Sequence, residues 1–327
     1  MPYINVDEAY ILDNTGLQVD QVVDIPYADA GLTETQQAQA RKNIVAGGTN
    51  PNLLDNSFFT INQRVFSSAT ATTANTYCVD RWILFAGGAG AGTLTKNADG
   101  TLTINNSSGT TNMYMRQPLL DLGLTGKTVT ISAMTSDGTV YHATGVVPAQ
   151  NTSYQGVAVA TITSTCEVGF TVAPTTLSYP YFVQISSNAG ANVTLKAVKL
   201  ELGTVSTLAN DVPPDYGTEL AKCQRYFNRI SFGSTNYPIA YGYAYSATAI
   251  RYLIPLPVTM RTTPTLALTN SFLALGTNAG TNAVTAFTPV ATFPNGVLVL
   301  GTTSNHTIGI SILMTGANAT LDLSADL

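Results

Sequence analysis

Two Asp-Gly pairs, each flanked by alternating apolar and polar residues, constrain the fold of this chain more than any other feature of its sequence. Asp99-Gly100 lies in the segment LTKNADGTLTIN, and Asp137-Gly138 lies in VTISAMTSDGTVYHATG. Such a pair between alternating runs is the strongest short-range hairpin signal, because a type I′ turn needs positive φ at both central residues. The spacing predicts two antiparallel hairpins in the middle of the chain.

Further β-type segments surround these hairpins. YFVQISS (181–187) and NVTLKAVKLELG (192–203) predict two more strands, and no long helical pattern interrupts residues 52–203. Strands at regular spacing without intervening helices are typical of an antiparallel sandwich or a jelly roll. We therefore predict a mainly β fold for this central region.

A Pro-Pro pair marks the end of the central region. Neither Pro213 nor Pro214 fits inside a helix or a central strand. A helix over 217–229 is expected next, because Leu220, Cys223 and Phe227 recur on one helical face. Beyond it, strands separated by Gly, Asn and Pro predict a second antiparallel β-domain. The segments that carry this prediction are 240–258, 263–269, 296–303 and 306–316.

The N-terminal segment has a different character. Residues 1–31 contain six carboxylates and no Lys or Arg, so they are expected to pack on a partner or around a symmetry axis. Thr33 and Gln36 have capping-box spacing and Gly47 is a natural stop, which predicts a helix over 34–45. A helix of about three turns is marginal alone in water, so burial against copies of itself is expected.

The charge content limits the classes of partner. Charged residues make up only 10% of the chain, against about 25% in an average globular protein. Between Ile230 and Leu327 the charges are Arg251, Arg261 and two aspartates, which suggests burial by oligomerisation. A net charge of −5 without a basic run disfavours nucleic acid and anionic membrane surfaces as partners.

The sequence also bears on location. We expect a soluble protein without a cleavable signal, since MPYINVDEAY has no basic or apolar region and no run approaches about 20 apolar residues. The cysteines, Cys78, Cys166 and Cys223, lack metal-site spacing and are expected to be buried thiols of a protein assembled in a reducing cytoplasm.

Four motifs follow one another in an order that suggests a family. They are NLLDNSFFTINQR (52–64) with YCVDRW (77–82), KLELG (199–203), CQRYFNR (223–229) and PLPVTMRTTPTLAL (255–268). In this order they resemble the modular tail-fibre and receptor-binding proteins of tailed bacteriophages, over most of residues 32–270. The helix QARKNIVAGG is similar to a tail-fibre helix, although Val45 stands where a glycine is usual.

The resemblance implies a homotrimer with four parts. Residues 1–48 would attach to other tail or baseplate proteins, 49–205 would form a carbohydrate-binding-like jelly roll, 206–229 a linker and helix, and 230–327 a C-terminal β receptor-binding and trimerisation domain. The expected location is the tail of the virion, assembled in the cytoplasm of the host bacterium.

Tyrosines are the first candidates for glycan contacts. Tyr241, Tyr243 and Tyr245 fall on one face of a predicted strand, with Tyr237 close by. Their rings could stack on sugar C–H faces while the hydroxyls bond sugar oxygens. A stripe buried in the domain core or in the trimer interface is the alternative reading. The single tryptophan, Trp82, is a further candidate sugar contact, although burial is favoured because the resemblance implies that its DRW-like segment faces the core.

Two other tyrosines, Tyr141 and Tyr154, near predicted loops, are further candidate sugar contacts.

The sequence gives little support for catalysis. A glycosidase needs two carboxylates roughly 5–10 Å apart, and no local pairing stands out. The carboxylates considered are Asp80, Asp121, Glu167, Glu201, Asp211 and Asp215.

No cofactor is expected. The two histidines, His142 and His306, lack the partners of a metal-binding helix or a catalytic triad. A structural calcium ion is compatible with a jelly roll, but the sequence identifies no ligands for it.

The predicted function is non-enzymatic attachment of the virion to a bacterial surface polysaccharide. The alternatives are a structural tail-fibre or baseplate component and, with least support, a glycan depolymerase.

Overall fold

The computed structural model describes residues 50–231, 238–276, 281–294, 296–304, 306–315 and 318–326. Within these residues the protein is mainly β, with antiparallel sheets and a single α-helix. Among the described residues no helix has the length and apolar content that a membrane-spanning helix requires. The N-terminal attachment segment 1–48 and the helix predicted over 34–45 lie outside the described residues.

The first half of the described chain forms two six-stranded sheets. Their strands are β1 (Ser68–Thr70), β2 (Thr76–Tyr77), β3 (Ile83–Ala86), β4 (Thr93–Lys96), β5 (Leu102–Asn106), β6 (Met113–Leu119), β7 (Thr128–Thr135), β8 (Val140–Val146), β9 (Gln155–Thr163), β10 (Cys166–Val172), β11 (Tyr181–Ser187) and β12 (Ala191–Leu202). One sheet has the order β1-β4-β5-β12-β7-β8 and the other β2-β3-β6-β11-β10-β9. Alternate side chains of both sheets meet in one buried core. We call this the two-sheet unit.

The two predicted hairpins are confirmed, since β4 pairs with β5 and β7 pairs with β8. Their turns are not the predicted type I′, because only the glycine of each pair has positive φ, 91° at Gly100 and 87° at Gly138. At the first turn Asp99 Oδ1 accepts hydrogen bonds from the backbone N of Thr101 at 3.0 Å and from its hydroxyl at 2.7 Å. A single left-handed glycine after the turn is typical of longer hairpin loops.

A linker and one helix follow the two-sheet unit. The linker contains a short 3₁₀ turn, Leu208–Asn210, and the helix α1 spans Tyr216–Gln224. Asp215 caps it by accepting a hydrogen bond from the backbone N of Thr218 at 2.8 Å. The predicted helix, 217–229, was therefore too long. Residues after Gln224 leave the helix because Phe227 starts a strand that pairs with Ser324, far along the chain.

The remaining described chain forms a three-stranded and a seven-stranded sheet. Its strands are β13 (Phe227–Ser231), β14 (Pro238–Ser246), β15 (Ala249–Pro255), β16 (Thr265–Thr269), β17 (Phe272–Gly276), β18 (Thr281–Val284), β19 (Ala286–Phe293), β20 (Gly296–Thr302), β21 (Gly309–Thr315) and β22 (Thr320–Ser324). The orders are β13-β22-β16 and β18-β17-β21-β14-β15-β20-β19. The apolar side chains of these sheets form a second buried cluster, between Ala240 and Ala325.

Arginine–aromatic stacking joins the two-sheet unit to the start of the C-terminal sheets. The guanidinium carbon of Arg64 lies 3.7 Å from the ring centre of Phe227, and Arg64 Nη2 lies 2.5 Å from Asp326 Oδ2. The guanidinium carbon of Arg81 lies 3.4 Å from the ring centre of Tyr226. Because these contacts link two loop residues of the two-sheet unit to the start of β13 and to the residues after β22, they hold the two parts together.

Candidate functional site

An aromatic, arginine-containing surface covers the outer side of the sheet β2-β3-β6-β11-β10-β9. Along β11, Phe182 and Gln184 alternate with side chains of the core and so point away from it. Gln184 lies opposite Arg116 on β6, and Tyr114 of β6 lies opposite Phe85. We call this surface the aromatic face. Its members are Phe85, Tyr114, Arg116, Tyr154, Tyr179, Phe182 and Gln184.

Arg116 lies at the centre of the aromatic face. Its guanidinium carbon is 4.1 Å from the ring centre of Phe182 and 4.8 Å from that of Phe85. Its Nε and Nη2 donate hydrogen bonds to Gln184 Oε1 at 2.9 and 2.6 Å. Within the described part of the chain no carboxylate forms an ion pair with Arg116. The guanidinium of Arg116 is thus positioned by the rings of Phe85 and Phe182 and by the Gln184 side chain. Among the described residues its positive charge is not neutralised by an ion pair, and it can interact with a ligand.

The rings around Arg116 differ in exposure. Phe182 is 3% exposed and forms the base, while Tyr154 is 59% exposed and packs edge-on against it, with ring centres 6.0 Å apart. Tyr179 packs edge-on against the same ring at 6.3 Å. On the other side Tyr114 stacks on Phe85 at 4.9 Å. These contacts restrict the rings, so that ordering them on a ligand costs little entropy.

The aromatic face is almost neutral. The strands of its sheet carry one cation, Arg116, and one carboxylate, Glu167. A glycosidase needs a pair of carboxylates, and these strands carry one. Flat rings beside a few oriented polar groups are what a ligand with both C–H and hydroxyl surfaces requires.

The predicted tyrosine stripe lies on a different surface. Tyr241, Tyr243 and Tyr245 belong to β14 and are 73%, 56% and 45% exposed, so the reading that buries them in the core of a single chain is wrong. Arg251, on the neighbouring strand, lies with its guanidinium carbon 5.2 Å from the ring centre of Tyr245. The other side chains around the stripe are aliphatic. Tyr237 lies outside the described residues.

The remaining predicted sugar contacts are separated from one another. Trp82 is fully buried, packs against Phe59 at 5.6 Å and donates from Nε1 to the backbone O of Asn56 at 3.1 Å. It therefore offers no ring to a sugar, so the favoured reading of burial is confirmed and the alternative of a sugar contact is wrong. Tyr141 is half-buried on β8, in the other sheet, and packs against the core. Of these candidates Tyr154 is the one that belongs to the aromatic face.

Most candidate acids have structural roles. Asp80 is buried, and desolvation raises its pKa above the ordinary range while its Oδ2 accepts a hydrogen bond from the backbone N of Gln63. Glu201 and Asp211 lie near the ammonium group of Lys199. Asp215 caps α1, and Asp121 accepts a hydrogen bond from the backbone of a loop glycine. Glu167 is the acid left on an exposed strand.

The described residues contain no group of three or more His, Cys, Asp or Glu side chains that could hold a metal ion. His306 is buried, and burial lowers its pKa; its Nδ1 lies 3.3 Å from the side-chain N of Asn282. The cysteines are free thiols and all buried. Burial raises the pKa of Cys78 and of Cys166 to about 12.

Sequence reasoning missed most of the aromatic face. Arg116, Gln184 and Phe182 were not singled out, although YFVQISS was predicted as a strand. Alternation along that strand would have placed Phe182 and Gln184 on its outer side. Arg116 could not be foreseen, because its strand β6 is a neighbour of β11 in the sheet but is distant from it in sequence.

Comparisons with protein-family models, with curated proteins and with solved structures found no match to the chain.

Proposed function

We propose that the chain is a non-catalytic receptor-binding protein of the bacteriophage tail-fibre type, from a phage or a prophage. It attaches the tail of a virion to a bacterial surface glycan through the aromatic face. The two-sheet unit serves as a carbohydrate-binding jelly roll, and the protein acts as a homotrimer. The resemblance of the ordered motifs supports the biological setting, and the aromatic face supports the chemistry.

The observation that carries the glycan assignment is the position of Arg116 between two rings and beside an exposed tyrosine. Pyranose rings have apolar C–H faces that pack on aromatic rings, and hydroxyl oxygens that accept hydrogen bonds from a guanidinium. Tyr154 supplies the exposed ring and Arg116 the donors, with Gln184 fixing the orientation of the guanidinium. Each such site is expected to be weak, and several copies in one particle raise the avidity.

The parts of the chain divide this work. Residues 1–48 attach the protein to other tail or baseplate proteins, and residues 49–205 recognise the glycan. Residues 206–229 link this unit to residues 230–327, which associate with copies of the same chain. The glycan is released unchanged, because recognition involves no bond breaking. Assembly takes place in the cytoplasm of the host bacterium.

Binding to purified host polysaccharide tests this function. We expect Tyr154→Ala and Arg116→Gln each to weaken binding at least about tenfold, which corresponds to about 1.4 kcal/mol. Tyr216→Ala is the matched control, because Tyr216 is also 59% exposed but lies on α1, away from the aromatic face. Equal affinities of the Tyr154→Ala and Tyr216→Ala variants would refute the assignment. New reducing ends in the polysaccharide would instead indicate a depolymerase.

A further inference from the structure

We propose that the outer side of the seven-stranded sheet binds a second copy of this chain. This surface, the apolar face, combines exposed side chains of β14, β15, β19 and β21 with half-buried aliphatic side chains of β17, β20 and β21. The exposed members are Tyr241, Tyr243, Tyr245, Leu253, Phe293 and Ile310. The half-buried members are Leu273, Leu275, Leu298, Leu300, Ile312 and Met314. The inference rests on the homo-oligomeric part of the proposed function and identifies the surface that would produce it.

Strand register makes the apolar face continuous. Tyr243 of β14 lies opposite Ile310 on one side and Arg251 on the other, and Arg251 lies opposite Leu300. A second row joins Leu275, Ile312 and Tyr241. A third joins Leu253 and Leu298. The inward side chains of the same strands, such as Tyr252 and Leu313, form the core, so the rows just described face away from that core.

The apolar face is unusually poor in charge. Of the strands in this sheet, β15 alone carries a charged side chain, Arg251. Soluble domains normally have surfaces in which about a quarter to a third of the residues are charged. Arg251 can remain paired with the Tyr245 ring while its surroundings lose water. Covering this surface would therefore bury little charge.

The area of the apolar face is sufficient for a stable interface. An aromatic side chain can bury about 200 Å², so the three exposed tyrosines alone present roughly 350 Å², as much as the largest patch on a typical monomer. Adjacent strands lie about 4.8 Å apart, which makes the face about 30 Å wide. With the aliphatic members included, it approaches the roughly 800 Å² that each partner contributes to a specific interface.

The chemistry of the apolar face favours a protein surface over a sugar. Sugar sites need several convergent hydrogen-bonding groups, whereas this surface offers mainly methyl groups around the tyrosines. Aromatic residues at the centre of an apolar patch are typical of binding hot spots. A second copy is the occupant we choose, because homo-oligomer interfaces are the more apolar class and the area of the apolar face approaches what one partner contributes to a specific interface.

Native mass, measured by light scattering during size exclusion, tests the proposal on the full chain. We expect a multiple of 34.3 kDa for the wild type. The double variant Ile310→Glu/Leu253→Glu should run as a folded monomer, because both side chains are more than half exposed in one chain. Val146→Glu is the control, since Val146 is 63% exposed on β8 and should leave the oligomer intact. A monomeric wild type or an oligomeric double variant would overturn the proposal.

A chemical measurement on the wild type avoids dependence on the folding of the variants. Tyrosine nitration followed by mass spectrometry reports which rings are accessible. We expect Tyr241 to be protected by at least about tenfold relative to Tyr154, although in a single chain Tyr241 is the more exposed at 73% against 59%. Rapid nitration of Tyr241 in the full-length protein would contradict the proposal. Polysaccharide binding is measured in a separate assay. A monomeric protein that still binds polysaccharide would exclude this interface but would not exclude glycan attachment.

Discussion

Replacement of Lys199 by Met should destabilise the two-sheet unit strongly. Lys199 lies on β12 with a side chain that is 0% exposed, and its Nζ is 2.8 Å from Asp211 Oδ2 and 3.7 Å from Glu201 Oε2. It also donates a hydrogen bond to Thr207 Oγ1 at 2.7 Å. These contacts fasten the linker to β12. Removing the cation leaves Glu201, also 0% exposed, as a buried and unpaired carboxylate.

The expected cost of this substitution is about 3–5 kcal/mol, the usual loss when one partner of a buried ion pair is removed. With a urea m-value of about 2–3 kcal/mol/M, the unfolding midpoint should fall by about 1–2.5 M. Trp82, the single tryptophan, lies in the same unit and reports its unfolding by fluorescence.

Lys196→Met is the matched control, because Lys196 is exposed on the same strand and should change stability by less than about 0.5 kcal/mol. Adding Glu201→Gln to the Lys199→Met variant should recover part of the loss, since the uncompensated charge is then gone. If both lysine variants unfold at the wild-type urea concentration, the argument that these charges are buried and coupled is refuted.

Three further outcomes are expected. Titration with a bound glycan should leave Trp82 fluorescence unchanged, because the ring is fully buried; a large spectral change would contradict its placement. A thiol reagent at pH 8 should modify Cys78 and Cys166 at least about a hundredfold more slowly in the native than in the denatured protein, because burial raises their pKa to about 12. Asp215→Ala should lower the unfolding midpoint at pH 7 by less than Lys199→Met does. Hydrogen bonds from Thr218 hold the pKa of Asp215 below its ordinary value, so this stabilisation is present above the ordinary carboxyl pKa and is lost as the pH falls through the lowered pKa; an effect independent of pH would show that the cap is not ionic.

Local sequence was sufficient for individual strands and hairpins. The strand predicted over YFVQISS is β11 with the same bounds, Tyr181–Ser187, and the hairpins formed where Asp-Gly pairs interrupted alternating runs. Alternation and turn residues act over a few positions, so they can be read from a short window. The end of α1 could not be read this way. Phe227 has helical spacing with Cys223, but pairing with β22 draws it into a sheet.

The candidate site depends on which strands are neighbours in the sheet, and a local stretch of sequence does not show this order. Arg116 and Gln184 meet because β6 and β11 are neighbours, although 68 positions separate the two residues. The tyrosine stripe was visible because three alternate tyrosines lie within one strand. Its surroundings come from β15, β20 and β21, and they favour a protein partner over a sugar. A stripe within a strand is thus predictable, whereas the chemistry of a face across strands is not.

Attachment to a bacterial surface glycan through the aromatic face is the function that we propose. The most direct measurement is the adsorption of the labelled full-length protein to host cells before and after periodate oxidation of their surface sugars. We predict saturable adsorption that periodate removes and that Tyr154→Ala reduces at least about tenfold, while Tyr216→Ala leaves it unchanged. Adsorption that survives periodate, or that is equal for Tyr154→Ala and the wild type, would contradict the account.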